Sequence, residues 1–352
     1  MRYALFVFAL AAALIMIPFS EAACEGAADA LRIFAGSMLP SLFPFLVCAN
    51  MMIRSGGFEL MRGRRRLPAL MVTCLAAGIC GTPSAALLSG ELKRSGMLTV
   101  KEASFLCGAV NLAGPVFVAV TLAGAFAGNG RLGLPFAAAN YAPAIVLTLV
   151  FSLVLNKKYG RAVPSINEKK PASAAVFAGA ISDSVTAVLR VGGTLVFFRV
   201  LYSAAEASGL LSPIPETAGK LIAGCLEMTN GLELLASGGT GTELALCAFV
   251  LSFGGLCLFA QAKQIFPELK AGPYFAAKAV SGFMSFLLMR ALLDLFPAAA
   301  EAASMLSEGL AGPKERASVL FAFAGAFGLS LAASALLAGF AAKNGRPRSG
   351  RP

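Results

Sequence analysis

Long apolar stretches are the feature that most limits what this chain can fold into. Hydrophobic residues make up 58% of the 352 residues and charged residues only 13%, whereas about a quarter of the residues of a soluble domain are charged. A stretch of about 20 apolar residues is long enough to cross a bilayer as a helix. Such stretches lie at residues 3–19, 31–53, 67–90, 104–127, 134–155, 187–207, 219–236, 243–260, 273–295 and 317–340. The sequence therefore predicts an all-α polytopic membrane protein.

The absence of histidine excludes many kinds of active site. The chain has no His, so it has no His-ligated zinc site, no Ser/His/Asp triad and no imidazole proton relay. It also lacks the glycine-rich loop that ends in Gly-Lys-Ser or Gly-Lys-Thr and binds nucleotide phosphates. We therefore expect no enzyme activity, no metal site and no cofactor.

The basic residues indicate how the chain crosses the membrane. The net charge is +11, but the Lys and Arg residues flank apolar stretches, so we expect membrane lipid rather than nucleic acid as the partner. Basic residues outnumber acidic ones in loops 54–66, 91–103, 156–174 and 261–272 and in the tail 341–352. In loops 21–30 and 205–218, all of the charged residues are acidic. Cytoplasmic loops hold the Lys and Arg excess, so the basic segments are predicted to be cytoplasmic.

Two apolar segments must then fold back on themselves. Loops 54–66 and 91–103 are both cytoplasmic only if 67–90 enters and leaves the membrane on the same face. The same argument, applied to the outer face of the membrane, makes residues 219–236 a hairpin that enters the membrane from outside. The prediction is about eight transmembrane helices plus two re-entrant hairpins, which leaves 20 of the 29 Lys and Arg residues on the cytoplasmic side.

The resulting organisation has two halves and cytoplasmic termini. Residues 1–23 fit a cleavable signal peptide nearly as well as a first transmembrane helix. The predicted segments are a first half at 31–155 with a repeat at 67–155, a cytoplasmic loop at 156–174, a second half at 175–295 with a repeat at 219–295, a last transmembrane helix within 296–340 and a tail at 341–352.

Self-comparison supports an inverted repeat. Residues 76–83 align with 222–229, and residues 106–115 align with 246–255. Each repeat would contain a hairpin, an interrupted helix and a complete helix, with opposite sidedness in the two halves, as in inverted-repeat transporters.

Four chain breaks are predicted within these repeats, at residues 78–83, 114–115, 227–231 and 254–255. Unwound backbone inside a membrane must line protein or a water-filled cavity, so we predict that substrate binds where the breaks converge. The alternative is that the glycines only permit kinks or close helix crossings. The predicted substrate-binding residues are Gly81, Thr82, Pro83, Ser84, Asn111, Gly114, Pro115, Arg199, Glu227, Thr229, Asn230, Ser252, Gly254 and Gly255.

Charged residues inside apolar segments are candidates for function. Glu227 would carry a coupling proton or bind a hydroxyl group or a cation such as sodium, or else it is a hydrated carboxylate near the outer surface. Arg199 would contact an anion, or else it forms an intrahelical ion pair with Glu206. Lys278 is predicted to extend to the inner face, and Arg290 is predicted to pair with Asp294.

Several short motifs resemble those of a known family. They are Leu42-Phe43-Pro44-Phe45, Gly81-Thr82-Pro83-Ser84-Ala85-Ala86, Glu91-Leu92-Lys93-Arg94-Ser95-Gly96, Asn111-Leu112-Ala113-Gly114-Pro115 and Leu226-Glu227-Met228-Thr229-Asn230-Gly231-Leu232. Over residues 30–295 they resemble the sporulation integral membrane proteins of the YlbJ type, within the group of nucleoside-transporter and FeoB-type Gate domains. In that family the first hairpin typically carries Gly-Tyr-Pro-Met/Ala-Gly, from which residues 81–85 depart.

The resemblance implies a fold like that of concentrative nucleoside transporters and a role in endospore formation. It further implies transport of a small polar or anionic solute, dipicolinate-like or nucleoside-like, with proton or sodium coupling. It also implies location in the cell membrane or outer forespore membrane, and a homo-oligomer. The alternatives are a non-transporting assembly factor for sporulation proteins and the permease part of a metal-ion system.

Overall fold

The computed structural model describes residues 2–56, 66–159 and 173–295. Within these ranges the regular secondary structure is entirely helical, which confirms the all-α membrane protein. The predictions for the last helix within 296–340, for the tail 341–352 and for most of the loops 54–66 and 156–174 lie outside the described residues.

Most of the helices are short, and several are joined by breaks of only a few residues. The α-helices are α1 Arg2–Met16, α2 Ser20–Ile33, α3 Leu39–Arg54, α4 Arg66–Cys80, α5 Ser84–Arg94, α6 Val100–Val110, α7 Gly133–Tyr159, α8 Ser173–Ala207, α9 Glu216–Leu226, α10 Met228–Ala236, α11 Gly241–Phe253, α12 Gly255–Ile265 and α13 Ala271–Leu295. A π-helical turn at Phe34–Met38 joins α2 to α3, and a second π-helix covers Phe117–Phe126.

Among the described residues, five helical segments are long and apolar enough to cross a membrane. They are Ser20–Arg54, Gly130–Lys157, Ala175–Ala207, Gly241–Ile265 and Ala271–Asp294. The predicted count of about eight is therefore not confirmed. Of the predicted spans, 3–19 forms only the 15-residue helix α1 and 104–127 is divided into two shorter helices, while 317–340 lies outside the described residues. The acidic segment 21–30, expected to be a loop, is helical within α2.

Two interrupted helices begin with the same local structure. The Thr99 side chain accepts a hydrogen bond from the Glu102 amide, and the Glu102 carboxylate accepts one from the Thr99 amide. Thr240 and Glu243 form the same capping box at the start of α11. A capping box satisfies amides that the first helical turn leaves unpaired, so these residues fix where α6 and α11 begin.

A single large core joins the two predicted halves. Helix α13 packs on both α6 and α11, and α7 packs on α4, α11 and α13. Helices α2 and α3 pack on α8 beside this core. The two interrupted helices thus lie next to the long helix α13.

Contacts near the ends of the helices show that these ends lie in two sets. Lys93 forms an ion pair with Glu268, and the Lys270 amide donates to the Ser104 hydroxyl at 2.9 Å. These contacts bring the predicted cytoplasmic loop 91–103, with Ser104 directly after it, next to the predicted cytoplasmic loop 261–272. In the second set, Lys220 pairs with Glu243 at 2.9 Å.

Candidate functional site

The two breaks of the first half contact each other. Helix α4 ends at Cys80 and α5 begins at Ser84. Gly81 between them has φ +70°, and a Cβ atom there would lie 3.0 Å from the Gly114 amide nitrogen. Glycine is favoured both by the left-handed backbone and by this close approach.

The break in the first interrupted helix lies slightly before its predicted position. Helix α6 ends at Val110, residues 111–114 are non-helical, and Pro115 begins the next helix, where proline is well tolerated because the first helical amides have no partner. The Ala113 carbonyl inside the break accepts hydrogen bonds from Asn140 Nδ2 at 3.1 Å and the Tyr141 hydroxyl at 2.8 Å. Side chains of α7 therefore satisfy part of the unwound backbone.

Glu227 is the one residue that separates α9 from α10. Its backbone is extended, and its carboxylate accepts a hydrogen bond from the Asn230 amide at 2.8 Å, which caps α10. The residue is 1% exposed, so the alternative of a hydrated surface carboxylate is wrong. The Glu227 carboxylate therefore occupies the N-terminus of α10.

The second interrupted helix meets this break through a glycine. Gly254 and Gly255 have φ of +77° and +75°. A Cβ atom on Gly255 would lie 2.8 Å from the carbonyl oxygens of Cys225 and Gly224 at the end of α9. The two breaks of the second half are therefore in contact, as are those of the first half.

Lys278 of α13 joins the two interrupted helices. Its Nζ donates to the Asn111 carbonyl oxygen and, at 2.9 Å, to the Ser252 carbonyl oxygen. The Ser252 and Ser281 hydroxyls are 2.7 Å apart, and Asn111 Nδ2 donates to the Tyr274 hydroxyl at 2.9 Å. We call these five residues the junction.

The location of Lys278 corrects a prediction. The residue is fully buried, so its side chain does not extend to the inner face. The prediction was wrong because extension is available only to a side chain near the membrane surface, whereas two carbonyl groups bind this amine inside the helix bundle.

Arg199 does not form the intrahelical ion pair that was the alternative prediction for it. It donates to Asn230 Oδ1 and to Glu233 at 3.2 Å, and Asp29 lies 3.9 Å away. Glu206 instead accepts a hydrogen bond from Tyr202 at 3.4 Å, so the intrahelical pair is wrong. By contrast, the predicted pair of Arg290 and Asp294 is confirmed at 3.5 Å.

Arg199 lines a cavity of about 550 Å³ between α2, α8 and α10. Four carboxylates and one guanidinium line it, a formal charge of −3. The lining residues are Ala22, Glu25, Gly26, Asp29, Arg199, Tyr202, Ser203, Glu206, Ala207, Glu233, Leu234 and Ser237. Sequence reasoning missed this cavity, although Glu25 and Asp29 have the four-residue spacing that places side chains on one helix face.

The other predicted site residues are divided between the two halves. Thr82 and Ser84 are buried at the first break, where the Ser84 hydroxyl donates to the Gly81 carbonyl. Thr229 and Asn230 are buried at the second break. The structure thus brings the predicted residues together as two break clusters, which the junction links. Arg199 reaches the second cluster from the cavity through Asn230.

No group of three or more Cys, Asp or Glu side chains that could hold a metal ion is present in residues 2–56, 66–159 and 173–295. The helices long enough to span a bilayer and the broken helices between them define a polytopic helical membrane protein.

The chain is similar to the sporulation integral membrane protein YlbJ of Bacillus subtilis (strain 168). The two sequences are 25% identical over 313 residues, which cover 76% of this chain and 76% of the relative. This similarity supports a protein of the YlbJ type and confirms the resemblance seen in the motifs. No family model matches the chain, and no solved structure matches it.

Proposed function

We propose that this protein is a non-enzymatic membrane carrier that moves a small polar or anionic solute by alternating access. The observation that carries the proposal is the meeting of four chain breaks around buried polar groups, with Lys278 linking the two halves. Transporters with broken helices bind substrate and coupling ions at such places. A protein that only anchored partners would have no need for unwound backbone inside its core.

The order of helices supports an inverted repeat. Each half contains a pair of short helices, α4–α5 or α9–α10, then an interrupted helix that begins with a capping box, then a long helix, α7 or α13. The proposed re-entrant hairpins are α4–α5, entered from the cytoplasm, and α9–α10, entered from outside. The loop contacts support this sidedness, because the C-terminal end of α5 and the N-terminal end of α13 lie together.

The charge of the acidic cavity indicates which solutes the protein could admit. We propose that it is the outer entrance, since α2, α8 and α10 line it near the loops predicted to be external. Its formal charge of −3 disfavours a free dianion. The lining therefore favours a neutral, nucleoside-like solute, or a dipicolinate-like anion that arrives with cations.

The similarity to a sporulation protein supports a role in endospore formation. We propose that the chain acts in the cell membrane or outer forespore membrane, with cytoplasmic termini and with Glu227 as the group that couples transport to a proton. The Gate-domain grouping and a homo-oligomer stay predictions.

Uptake by reconstituted protein tests the proposal. Proteoliposomes would be supplied with labelled dipicolinate and, separately, with a labelled nucleoside. We expect uptake of one of them, reduced about tenfold or more by Asn111→Ala and by Glu227→Gln, a loss equivalent to about 1.4 kcal/mol or more. Ser152→Ala, which alters a buried hydroxyl in α7, is the matched control and should retain uptake.

Uptake unchanged by both break variants, at equal protein content, would contradict the carrier. The alternative of an assembly factor predicts that result, together with normal sporulation in cells that carry the same two variants.

A further inference from the structure

Lys278 is a buried amine without a carboxylate partner. It is fully buried, and no ion pair to it occurs among the described residues. Its bonds go to two backbone carbonyl groups. A buried charge is costly unless something compensates it, so the compensation must come from the backbone.

Both carbonyl groups belong to the C-terminal ends of helices. Asn111 is the C-cap of α6, and Ser252 lies in the last turn of α11. Each helix C-terminus carries a partial charge of about −0.5, so two such ends compensate a single positive charge. Unwound carbonyls and half-helix C-terminal ends are also the groups that coordinate sodium ions in transporters with broken helices.

Further oxygen atoms surround the same point. The Tyr274 hydroxyl contacts Asn111, and the Ser281 hydroxyl contacts Ser252. In addition, Asn111 Oδ1 is buried and has no hydrogen-bond partner among the described residues. Without the lysine amine, the junction would present carbonyl, amide and hydroxyl oxygens around a space of the size of an ammonium group.

We propose that the Lys278 ammonium takes the place of a bound monovalent cation at the junction. The protein therefore needs no sodium ion there, and removal of the ammonium opens a site for sodium, potassium or a small alkylammonium ion. The inference rests on the proposed carrier for its mechanistic meaning. Its test measures thermal stability, so failure of this inference is distinguishable from failure of transport.

The experiment uses the full chain purified in detergent. The apparent midpoint of thermal unfolding would be measured in NaCl, KCl, methylammonium chloride or N-methylglucamine chloride at equal ionic strength. For wild type we expect the same midpoint in all four salts. For Lys278→Ala in N-methylglucamine chloride, we expect a midpoint below that of wild type. At least one of the smaller cations, at ten times its Kd for the variant, should raise the variant's midpoint by about 3 °C.

Lys263→Ala is the matched control. The Lys263 amine also donates to a backbone carbonyl, that of Leu269 at 2.7 Å, but Lys263 is exposed. We expect no recovery by a specific cation for this variant. Lys278→Ser, which retains a hydrogen-bond donor, is the second variant if the alanine protein does not fold, with the same expected response.

Two results would overturn the inference. One is a rise in the wild-type midpoint that is specific to sodium and is lost in Lys278→Ala. The loss in the variant would show that sodium binds at the junction of the wild-type protein. The other is a folded Lys278 variant that responds equally to all four salts. A wild-type midpoint independent of the cation, together with a cation-dependent midpoint in a Lys278 variant, supports the proposal.

Discussion

The neighbouring glycines of the second interrupted helix offer a matched pair of substitutions. Gly254 and Gly255 both have positive φ, +77° and +75°. An alanine at either position adopts left-handed backbone, at a cost of about 1–2 kcal/mol. The strain is therefore common to Gly254→Ala and Gly255→Ala, and any difference between the two variants comes from what the new methyl group contacts.

The neighbours of the two methyl groups differ. At Gly254 the nearest atom would be Leu258 Cδ2 at 2.8 Å, the end of a side chain that can rotate away. At Gly255 the nearest atoms would be two backbone carbonyl oxygens of α9, also at 2.8 Å. Backbone cannot rotate away, so α9 and α12 must separate, at an added cost of about 1–3 kcal/mol.

At about 2 °C per kcal/mol, we expect Gly254→Ala to lower the unfolding midpoint by about 2–4 °C and Gly255→Ala by about 4–10 °C. The chain has no Trp, so a dye that becomes fluorescent on reaction with thiols is the suitable probe. Five cysteines are buried until the protein unfolds, namely Cys74, Cys80, Cys107, Cys247 and Cys257. Equal midpoints for the two variants would refute the proposed contact between α9 and α12.

The remaining predictions concern helix ends and the cavity. Thr99→Ala and Thr240→Ala should each cost about 1 kcal/mol through loss of a capping box, seen as a lower unfolding midpoint, whereas serine at either position should retain wild-type stability. An unfolding midpoint that the alanine substitutions leave unchanged would contradict the stabilising role of the capping boxes. Arg199→Gln makes the cavity lining more negative, so it should slow uptake of an anionic solute about tenfold at low salt and slow uptake of a neutral one much less. Equal slowing of both solutes in proteoliposomes would contradict the electrostatic role.

The sequence was informative where local chemistry decides the structure. Gly81, Pro115 and Gly254 marked breaks because glycine and proline favour backbone that continuous helices exclude. The capping boxes are also readable in the sequence as Thr-x-x-Glu at Thr99 and Thr240, and they add support to the internal repeat.

The sequence failed where distant segments meet. Lys278 contacts Asn111, 167 residues away, and nothing local to α13 distinguishes this lysine from one at a membrane surface. Arg199 likewise binds Asn230 and Glu233 of another helix rather than Glu206 of its own. Side-chain partners of charged groups depend on tertiary packing, which the spacing within one helix does not report.

Cysteine accessibility tests the central claim most directly, which is that the two short helix pairs enter the membrane from opposite faces. In a protein whose exposed Cys24 and Cys48 are replaced by serine, Lys93→Cys and Ser237→Cys would be labelled separately in intact cells with a membrane-impermeant maleimide. The account predicts that Ser237→Cys reacts in intact cells and that Lys93→Cys reacts only after permeabilisation. Labelling of both positions from the same side would contradict it.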